Sequence, residues 1–577
     1  MSDRNKTNYQ IAKEEADRID ALIIDTLQQG KSFRVEAGAG SGKTYSLNKV
    51  IEWIQANKWH EYNKKKQTVV CITYTNAAVD VIAERLAKNT FILPSTIHSF
   101  AWSVIKQYQS TLISIINENE QLWAKETDFS EVAAVHYELG HRYVRNGTHY
   151  LFHDDVIKLF VAMLENAKFR KIFSGKYPLI LIDEYQDSFA PIIDCFIKYF
   201  IAPGVGPQFG FFGDSWQTIY QSNNVCGTID HPEIVEIKKV SNFRSAPKIV
   251  SLLNYIRPEL PQVSAEDDFQ GEAYVITCDD FQGERRQERN FKGDLPAHEL
   301  KERLNSLSQS IQESYPGESI KTLMITHKVL ATQQGYERLL EIIDNGLRDK
   351  EDVFLLFFMN TVEPIFQALT DKNMQLLFDT LKLKRYPINN KAEKQQWKDL
   401  ENNLRQARTE KTVDVVKAVI ESKLVPVEQP IRAYYNEYFN TPELQYSGTT
   451  IKEFLDLEYS QFISAIQFLQ PEAKYSTEHG VKGEEYDNVI FAISKGWNQY
   501  QFETYAPMIR GTVPNGKEAA FIRNRNLFYV CCSRPKKRLF LFVSVPIDQA
   551  FRCFLINLVG EGNMLTYSEY MEKLHNQ

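Results

Sequence analysis

The sequence predicts an α/β protein with two parallel-sheet domains, each carrying a mostly helical insertion. Three observations lead there. Short apolar runs bounded by turn residues alternate with longer helical text, the pattern of parallel sheets covered by helices. A glycine-rich turn, AGAGSGKT from Ala37 to Thr44, sits between one such run and a helical stretch. Far downstream an apolar run ends in two adjacent acids, LIDEYQD from Leu181 to Asp187.

A length of 577 residues exceeds one ordinary core and requires several domains. Hydrophobic content of 43% with 24% charged residues is that of neither a disordered nor a membrane protein. The polar start, MSDRNKTNYQ, has no apolar signal region. No apolar stretch reads as approaching the roughly 20 residues of a membrane span, so a cytoplasmic protein without a membrane partner is expected. The seven cysteines are scattered without a CxxC pair. That pattern argues against a zinc or iron–sulfur site and against a secreted disulfide framework. A net charge of −7 argues against tight coating of duplex nucleic acid. It leaves room for a local basic groove that grips a few phosphates.

Ser32–Glu36 reads as the strand before the glycine-rich turn. Thr68–Thr73, Leu179–Ile182 and Gln208–Phe212 read as further buried strands of the same sheet. Thr96–Asn146 reads as mostly helical and as an insertion. Lys321–Thr326 and Leu539–Val543 supply strands of a second sheet, and Lys350 to Pro471 is charge-rich helical text that forms the second insertion. Within it, Lys382–Lys411 holds nine Lys or Arg residues against four acids. It reads first as a solvated helical face and second as a nucleic-acid or partner surface. The expected boundaries are 1–94 and 154–236 for the first domain, interrupted by 95–153. The second domain takes 237–345 and 474–577, interrupted by 346–473.

A glycine-rich turn between strand and helix lets backbone N–H groups close around phosphate oxygens at the helix N-terminus. Ala37, Gly38, Ala39, Gly40, Ser41 and Gly42 form that cradle. Lys43 is placed for the β- and γ-phosphates of ATP, and the Thr44 hydroxyl for Mg²⁺. Asp183 emerges at the end of an apolar strand, where α/β ligand sites lie, and suits Mg²⁺ through water. Glu184 beside it suits orientation or deprotonation of an attacking water. In FFGDSWQTIY the Gln217 amide both donates and accepts, so it can bridge that water and a phosphate oxygen. Arg244 in Asn242-Phe243-Arg244-Ser245 and Arg534 in Cys532-Ser533-Arg534-Pro535 suit the charge of a transferring phosphoryl group. In the string from Thr477 to Tyr486, His479 and Lys482 suit a phosphodiester, and Glu485 suits a ribose hydroxyl.

Together these segments resemble the superfamily 1 helicases of the UvrD, Rep and PcrA group. AGAGSGKT, ITYTNAA (Ile72–Ala78), STIHSF (Ser95–Phe100), DEYQD, GDSWQTIY, SNFRS, TxHxxKGxE and VCCSRPKK follow in the family's order. The resemblance implies two RecA-like motor domains with ATP held between them. It also implies Phe243 stacked on adenine, and Arg244 and Arg534 at the γ-phosphate. Tyr74, Thr75, Asn76, His98, Thr477 and His479 would face single-stranded DNA, where base stacking is sequence-tolerant. Movement would be 3′-to-5′.

The chain departs from the pattern in three places. Ala77 stands where the family usually has Lys. Gln10 lies further from the phosphate loop than the family's adenine-reading glutamine. Gln221-Ser222-Asn223-Asn224 follow Tyr220 where the family usually has an aromatic and Arg-Gly. Two functions are therefore expected. One is an ATP-dependent helicase or translocase on single-stranded DNA, in repair or antiphage defence. The other is a DNA-stimulated ATPase that senses DNA ends and controls a nuclease. Its layout resembles the helicase subunits of bacterial Gabija antiphage systems, which implies an OLD-family nuclease partner.

Overall fold

The computed structural model describes residues 6–73, 76–86, 91–118, 132–137, 143–145, 147–219, 224–289, 291–324, 331, 335–348, 352–382, 390–470, 475–476, 483–495 and 500–576. The chain divides into two compact units, Met1–Ile325 with Val481–Gln577 and Thr326–Gly480.

The larger unit is built on two parallel sheets. The first contains β1 (Ser32–Ala37), β2 (Val69–Thr73), β3 (Ile92–Thr96), β7 (Leu179–Asp183), β8 (Gln208–Gly213) and β9 (Ile234–Lys239), in the order β3-β2-β7-β8-β1-β9. Side chains alternate across a sheet, and both faces here are covered. Val70, Ile72, Ile180, Ile182, Phe209 and Phe211 enter one apolar layer. Val69, Cys71, Leu181, Phe212, Phe33 and Val35 enter the other. The exception is β1, which turns Arg34 and Glu36 inward at alternate positions, both buried.

Between β3 and β7 lie the helices Ile97–Ile105 and Gln109–Glu118, then a small sheet of β4 (Ala134–Tyr137), β5 (Tyr143–Arg145) and β6 (Thr148–Leu151) in the order β4-β6-β5. Among the described residues of 96–146 the helices predominate, as expected, and the small sheet is an addition that the expectation did not include. β5 and β6 pair antiparallel, with Gly147 before β6 at φ 69°, and the sequence Asn-Gly at 146–147 is a strong hairpin signal. Thr148 and Tyr150, a β-branched and an aromatic residue at alternate positions of Thr148–Leu151, fit a strand better than a helix.

A short parallel pair, β10 (Ser241–Asn242) with β11 (Val263–Ser264), follows β9. The second main sheet contains β12 (Glu272–Thr277), β13 (Ile320–Met324), β17 (Tyr486–Ile493), β18 (Pro535–Val543) and β19 (Met564–Thr566). Its strands in this unit run β13-β17-β18-β12-β19, all pairs parallel. The helix Pro247–Ile256 packs Ile249, Leu252, Leu253 and Ile256 into its core with Val489, Phe491 and Leu541. Two parallel sheets flanked by helices make the α/β, RecA-like class expected from the motifs.

The second unit is helical apart from short strands β14 (Gln445–Tyr446), β15 (Thr449–Thr450) and β16 (Tyr475–Ser476) among its described residues. Its helical run Val353–Thr370 spans 18 residues with a mean hydropathy of 1.4 and 44% of them buried. By length and composition it is apolar enough to cross a membrane, against the reading that no stretch approaches that. Its Phe354 and Phe358 pack on Phe454, Tyr446, Tyr459 and Phe462, which accounts for the composition as core. The buried Asp352 caps the start of this run and accepts the Tyr446 hydroxyl at 2.6 Å.

Candidate functional site

The neighbours β7, β8 and β1 release their chains at one edge of the first sheet, because parallel strands end on the same side. That edge therefore gathers the glycine-rich turn, the paired acids and the glutamine motif. Gly40 and Gly42 have φ of 74° and 76°, a left-handed backbone that costs glycine nothing. Gly42 caps the helix Lys43–Lys64, so the turn feeds straight into a helix N-terminus. A Cβ on Gly38 would lie 2.6 Å from Gln262 Nε2, and one on Gly40 would lie 2.6 Å from Asn242 Oδ1.

The loop is held from the second sheet's side. Ala39 O accepts from Asn242 Nδ2 and Gln262 Nε2, each at 2.9 Å. Gly40 O accepts the Phe243 N–H at 2.8 Å, and the Ala39 N–H donates to Tyr529 Oη at 3.2 Å.

Lys43 Nζ pairs with Glu184 Oε2 at 2.6 Å. Burial works against the Lys43 charge, but the Glu184 and Asp183 carboxylates outweigh it and hold its pKa above the ordinary value. Asp183 is the buried last residue of β7. Glu184 sits at φ 50°, a left-handed conformation uncommon outside glycine and typical of functional turns. Gln186 Nε2 donates to Glu184 Oε2 at 2.6 Å, while Gln186 Oε1 accepts the Asp214 N–H at 3.1 Å. The acid motif and the glutamine motif are thus tied together.

Gln217 Nε2 donates to Asp214 Oδ2 at 2.7 Å. Its Oε1 faces Arg534 Nη2 at 3.4 Å, which brings a residue before β18 to one after β8. Arg534 is 1% exposed and also donates to Glu484 O and Val530 O. Burial, helped by Arg244, pushes its pKa down to about 10. Arg244 Nε pairs with Glu485 Oε2 at 2.7 Å, and Lys536 Nζ with Glu485 Oε1 at 2.9 Å. Burial opposes the Glu485 charge, yet Lys536 and Arg244 keep its pKa lowered. Glu485 therefore stands as a partner of cations here.

Phe243 is 42% exposed, a ring left open at the site, with Tyr9 edge-on at 6.4 Å between centroids. The helix Asn8–Gln28 takes up the extra sequence between Gln10 and the phosphate loop and leaves its first turn beside Phe243. Gln10 itself is exposed and completes a capping box with Thr7.

His98 is placed differently from the expectation of a DNA-facing residue. It is 7% exposed, stacked on His153 at 3.3 Å between centroids and edge-on to Phe189. Burial and the neighbouring His153 drive its pKa down to about 2, so it is neutral. Asn76 opens the helix Asn76–Arg85. Tyr74, Thr75, Thr477, His479 and the segment 220–223 lie outside the described residues, as does Lys482.

Sequence reasoning missed Glu36, Arg257 and Tyr529. Arg257 Nη2 meets Glu36 Oε1 at 2.6 Å and Arg257 Nη1 meets Asp214 Oδ1 at 2.5 Å. Glu36 also accepts from Tyr185 Oη at 2.6 Å and from the Ser215 N–H at 2.9 Å. Burial would raise the Glu36 pKa, but Arg257 and these donors keep it lowered. The available signal was the pair of charges at alternate positions of a buried strand.

The cradle fits a triphosphate: two glycines where a Cβ would clash, a helix N-terminus, and a half-buried lysine paired with a carboxylate. Thr44 in the first helical turn and Asp183 at the end of β7, on the same edge of the sheet, offer the hard oxygen donors that magnesium takes beside phosphates.

Comparison with known proteins agrees with this geometry. The AAA domain family matches residues 20–223, which carry the first sheet's motifs. The Gabija protein GajB of Bacillus cereus (strain HuB5-5) is 22% identical across 91% of this chain and 95% of its own length. The ATP-dependent DNA helicase Rep of Escherichia coli (strain K12) is 24% identical over 46% of this chain, which spans about half (47%) of Rep. Rep of Salmonella typhimurium is 23% identical over the same shares. The chain is thus similar to UvrD/Rep-like superfamily 1 helicases, and GajB-like over nearly its whole length. These likenesses support an ATP-hydrolysing, helicase-like enzyme.

Proposed function

We propose that the chain hydrolyses ATP between its two parallel-sheet domains and uses the cycle to move single-stranded DNA 3′-to-5′. The observation that carries this reading is the approach of Arg534 from the second sheet to Gln217 of the first, 3.4 Å apart. A site split between two domains can convert closure and opening into movement. The domain limits proposed from the motifs, 1–94 with 154–236 and 237–345 with 474–577, place the two halves of this site in different domains.

Lys43 and the loop N–H groups bind the β- and γ-phosphates, which displaces Glu184 from Lys43. Glu184 then orients the attacking water and takes its proton as the bond to the β-phosphate oxygen breaks. Gln217 holds that water against the phosphoryl oxygens, and Arg244 and Arg534 offset the charge on them, worth about a thousandfold or more for such an arginine. Magnesium, held by Thr44 and Asp183 when bound, neutralises charge on the phosphates. Phe243 offers its open face to the adenine, and Tyr74, Thr75, Asn76, Thr477 and His479 are assigned to the DNA strand.

A second reading is favoured by the likeness to GajB over 91% of the chain. In it the chain serves antiphage defence and its ATPase senses DNA ends for a partner nuclease of the OLD family. One experiment separates the two. ATP hydrolysis is measured with and without single-stranded DNA, beside Glu184→Gln, and duplexes with 3′ or 5′ tails are tested for strand separation. DNA stimulation with unwinding from a 3′ tail supports the motor. Stimulation without strand separation supports the sensor, and no stimulation sinks both.

A further inference from the structure

We infer that Arg257 is a positioning residue that ties the second parallel-sheet domain to both the phosphate loop and Gln217, so that the placement of that domain sets the hydrolytic geometry. This inference rests on the ATPase reading above.

Arg257 follows the helix Pro247–Ile256, whose apolar face is part of the second sheet's core. The same helix starts three residues after Arg244, so the two arginines flank its two ends. The Arg257 guanidinium, 3% exposed as a residue, enters the first domain as a fork. One prong takes Glu36, the residue immediately before the phosphate loop, at 2.6 Å. The other takes Asp214 at 2.5 Å. Trp216 and Tyr529 flank the cation at 5.1 and 5.5 Å from their ring centroids.

Each carboxylate passes the constraint on. Glu36 Oε1 also accepts from Ser215 Oγ at 2.7 Å, which couples the loop's root to the glutamine motif. Asp214 Oδ2 accepts from Gln217 Nε2 at 2.7 Å. With its NH₂ committed to Asp214, Gln217 presents its oxygen to Arg534. The amide's orientation is therefore set by Asp214, and Asp214 is held by Arg257. When the second domain turns, Arg257 either carries Glu36 and Asp214 with it or leaves two buried carboxylates without their cation. The second outcome is costly, so the coupling is stiff.

A merely structural ion pair predicts something different, and two variants distinguish them. Arg257→Lys keeps the charge but loses the fork. Asp214→Asn turns an NH₂ toward Gln217 and favours the reversed amide. For both, ATP hydrolysis is measured as kcat and KM beside binding of a fluorescent ADP and thermal unfolding. A positional error of this kind costs about a hundredfold in kcat. The expected result is that loss with ADP affinity and KM within about threefold of the unchanged chain. Unchanged kcat in both variants overturns the inference. So does a fall in kcat matched by an equal loss of ADP binding, which is the mark of a purely structural role. Hydrolysis absent from the unchanged chain overturns the ATPase reading itself, and this inference with it.

Discussion

Gly40→Ala separates backbone strain from loss of space at the phosphate loop. Gly40 has φ +74°, and an added Cβ would lie 2.6 Å from Asn242 Oδ1 and 2.7 Å from Arg244 Cβ. Left-handed backbone costs a non-glycine residue about 1–2 kcal/mol, and overpacking of this kind adds about 1–3 kcal/mol. The sum is about 2–5 kcal/mol. Gly30 supplies the control, since its φ is +73° but nothing lies within 4 Å of the added atom. Gly30→Ala should therefore cost only the strain, about 1–2 kcal/mol. The two also differ in function. Asn242 Oδ1 accepts the N–H groups of Arg244 at 3.0 Å and Ser245 at 2.9 Å, so pushing Asn242 displaces Arg244. A displacement near 1 Å costs about a hundredfold in rate. Thermal unfolding and steady-state ATP hydrolysis of the two variants are measured side by side. Gly40→Ala melting with Gly30→Ala, and hydrolysing ATP within twofold of the unchanged chain, would refute the close approach.

Arg534→Lys keeps a cation but loses the planar fork that serves Gln217, Glu484 and Val530 together, so kcat should fall by about a hundredfold or more. Nucleotide affinity, read by calorimetry with ADP, should hold within about threefold, and an equal loss of both would contradict the assignment. His98 gives a pH signature. Its folded pKa of about 2 lies below the unfolded value near 6.5, so its stabilisation is full above pH 6.5 and declines as pH falls below it. From pH 7 to 5 the loss is about 2 kcal/mol by linkage, and His98→Leu should flatten that part of the denaturant-unfolding profile. Tyr185→Phe removes the hydroxyl that donates to Glu36 at 2.6 Å and should destabilise by about 1–3 kcal/mol, with an unshifted melting temperature counting against it.

The parts of the site legible in the sequence are those whose chemistry is local. Gly38, Gly40, Gly42, Lys43 and Thr44 must lie within one strand–turn–helix to surround a phosphate, and Asp183 and Glu184 must follow a buried strand. The illegible parts depend on distant partners. Glu36 and Arg257 are 221 positions apart, and nothing near either one names the other. His98 stands at a recognisable motif position, but its burial is decided by His153 from the helix His153–Leu164. Tyr9, in the first turn of a 21-residue helix, meets Phe243 from far along the chain. The small sheet of β4, β5 and β6 had its signal in the Asn146-Gly147 dipeptide, but the helices Ile97–Ile105 and Gln109–Glu118 dominate the pattern of that segment.

One local signal did point to Arg257. On a strand covered by apolar layers, Arg34 and Glu36 are two apart and therefore project to the same face. Arg34 pairs with Glu236 on the neighbouring β9 and approaches Glu36 only to 4.0 Å. Glu36 is thus left needing a closer cation, and one must come from outside the sheet. That requirement follows from the cost of a buried carboxylate. It does not follow that the cation is there for stability, because a buried ion pair is often no better than an apolar group of the same size. A leucine cluster would hold the two domains together equally well. It would not fix two carboxylates, one at the root of the phosphate loop and one behind Gln217, at set distances from a single planar group. The fork does that, and this is why the Arg257→Lys variant, which preserves charge and sacrifices geometry, is the more informative substitution.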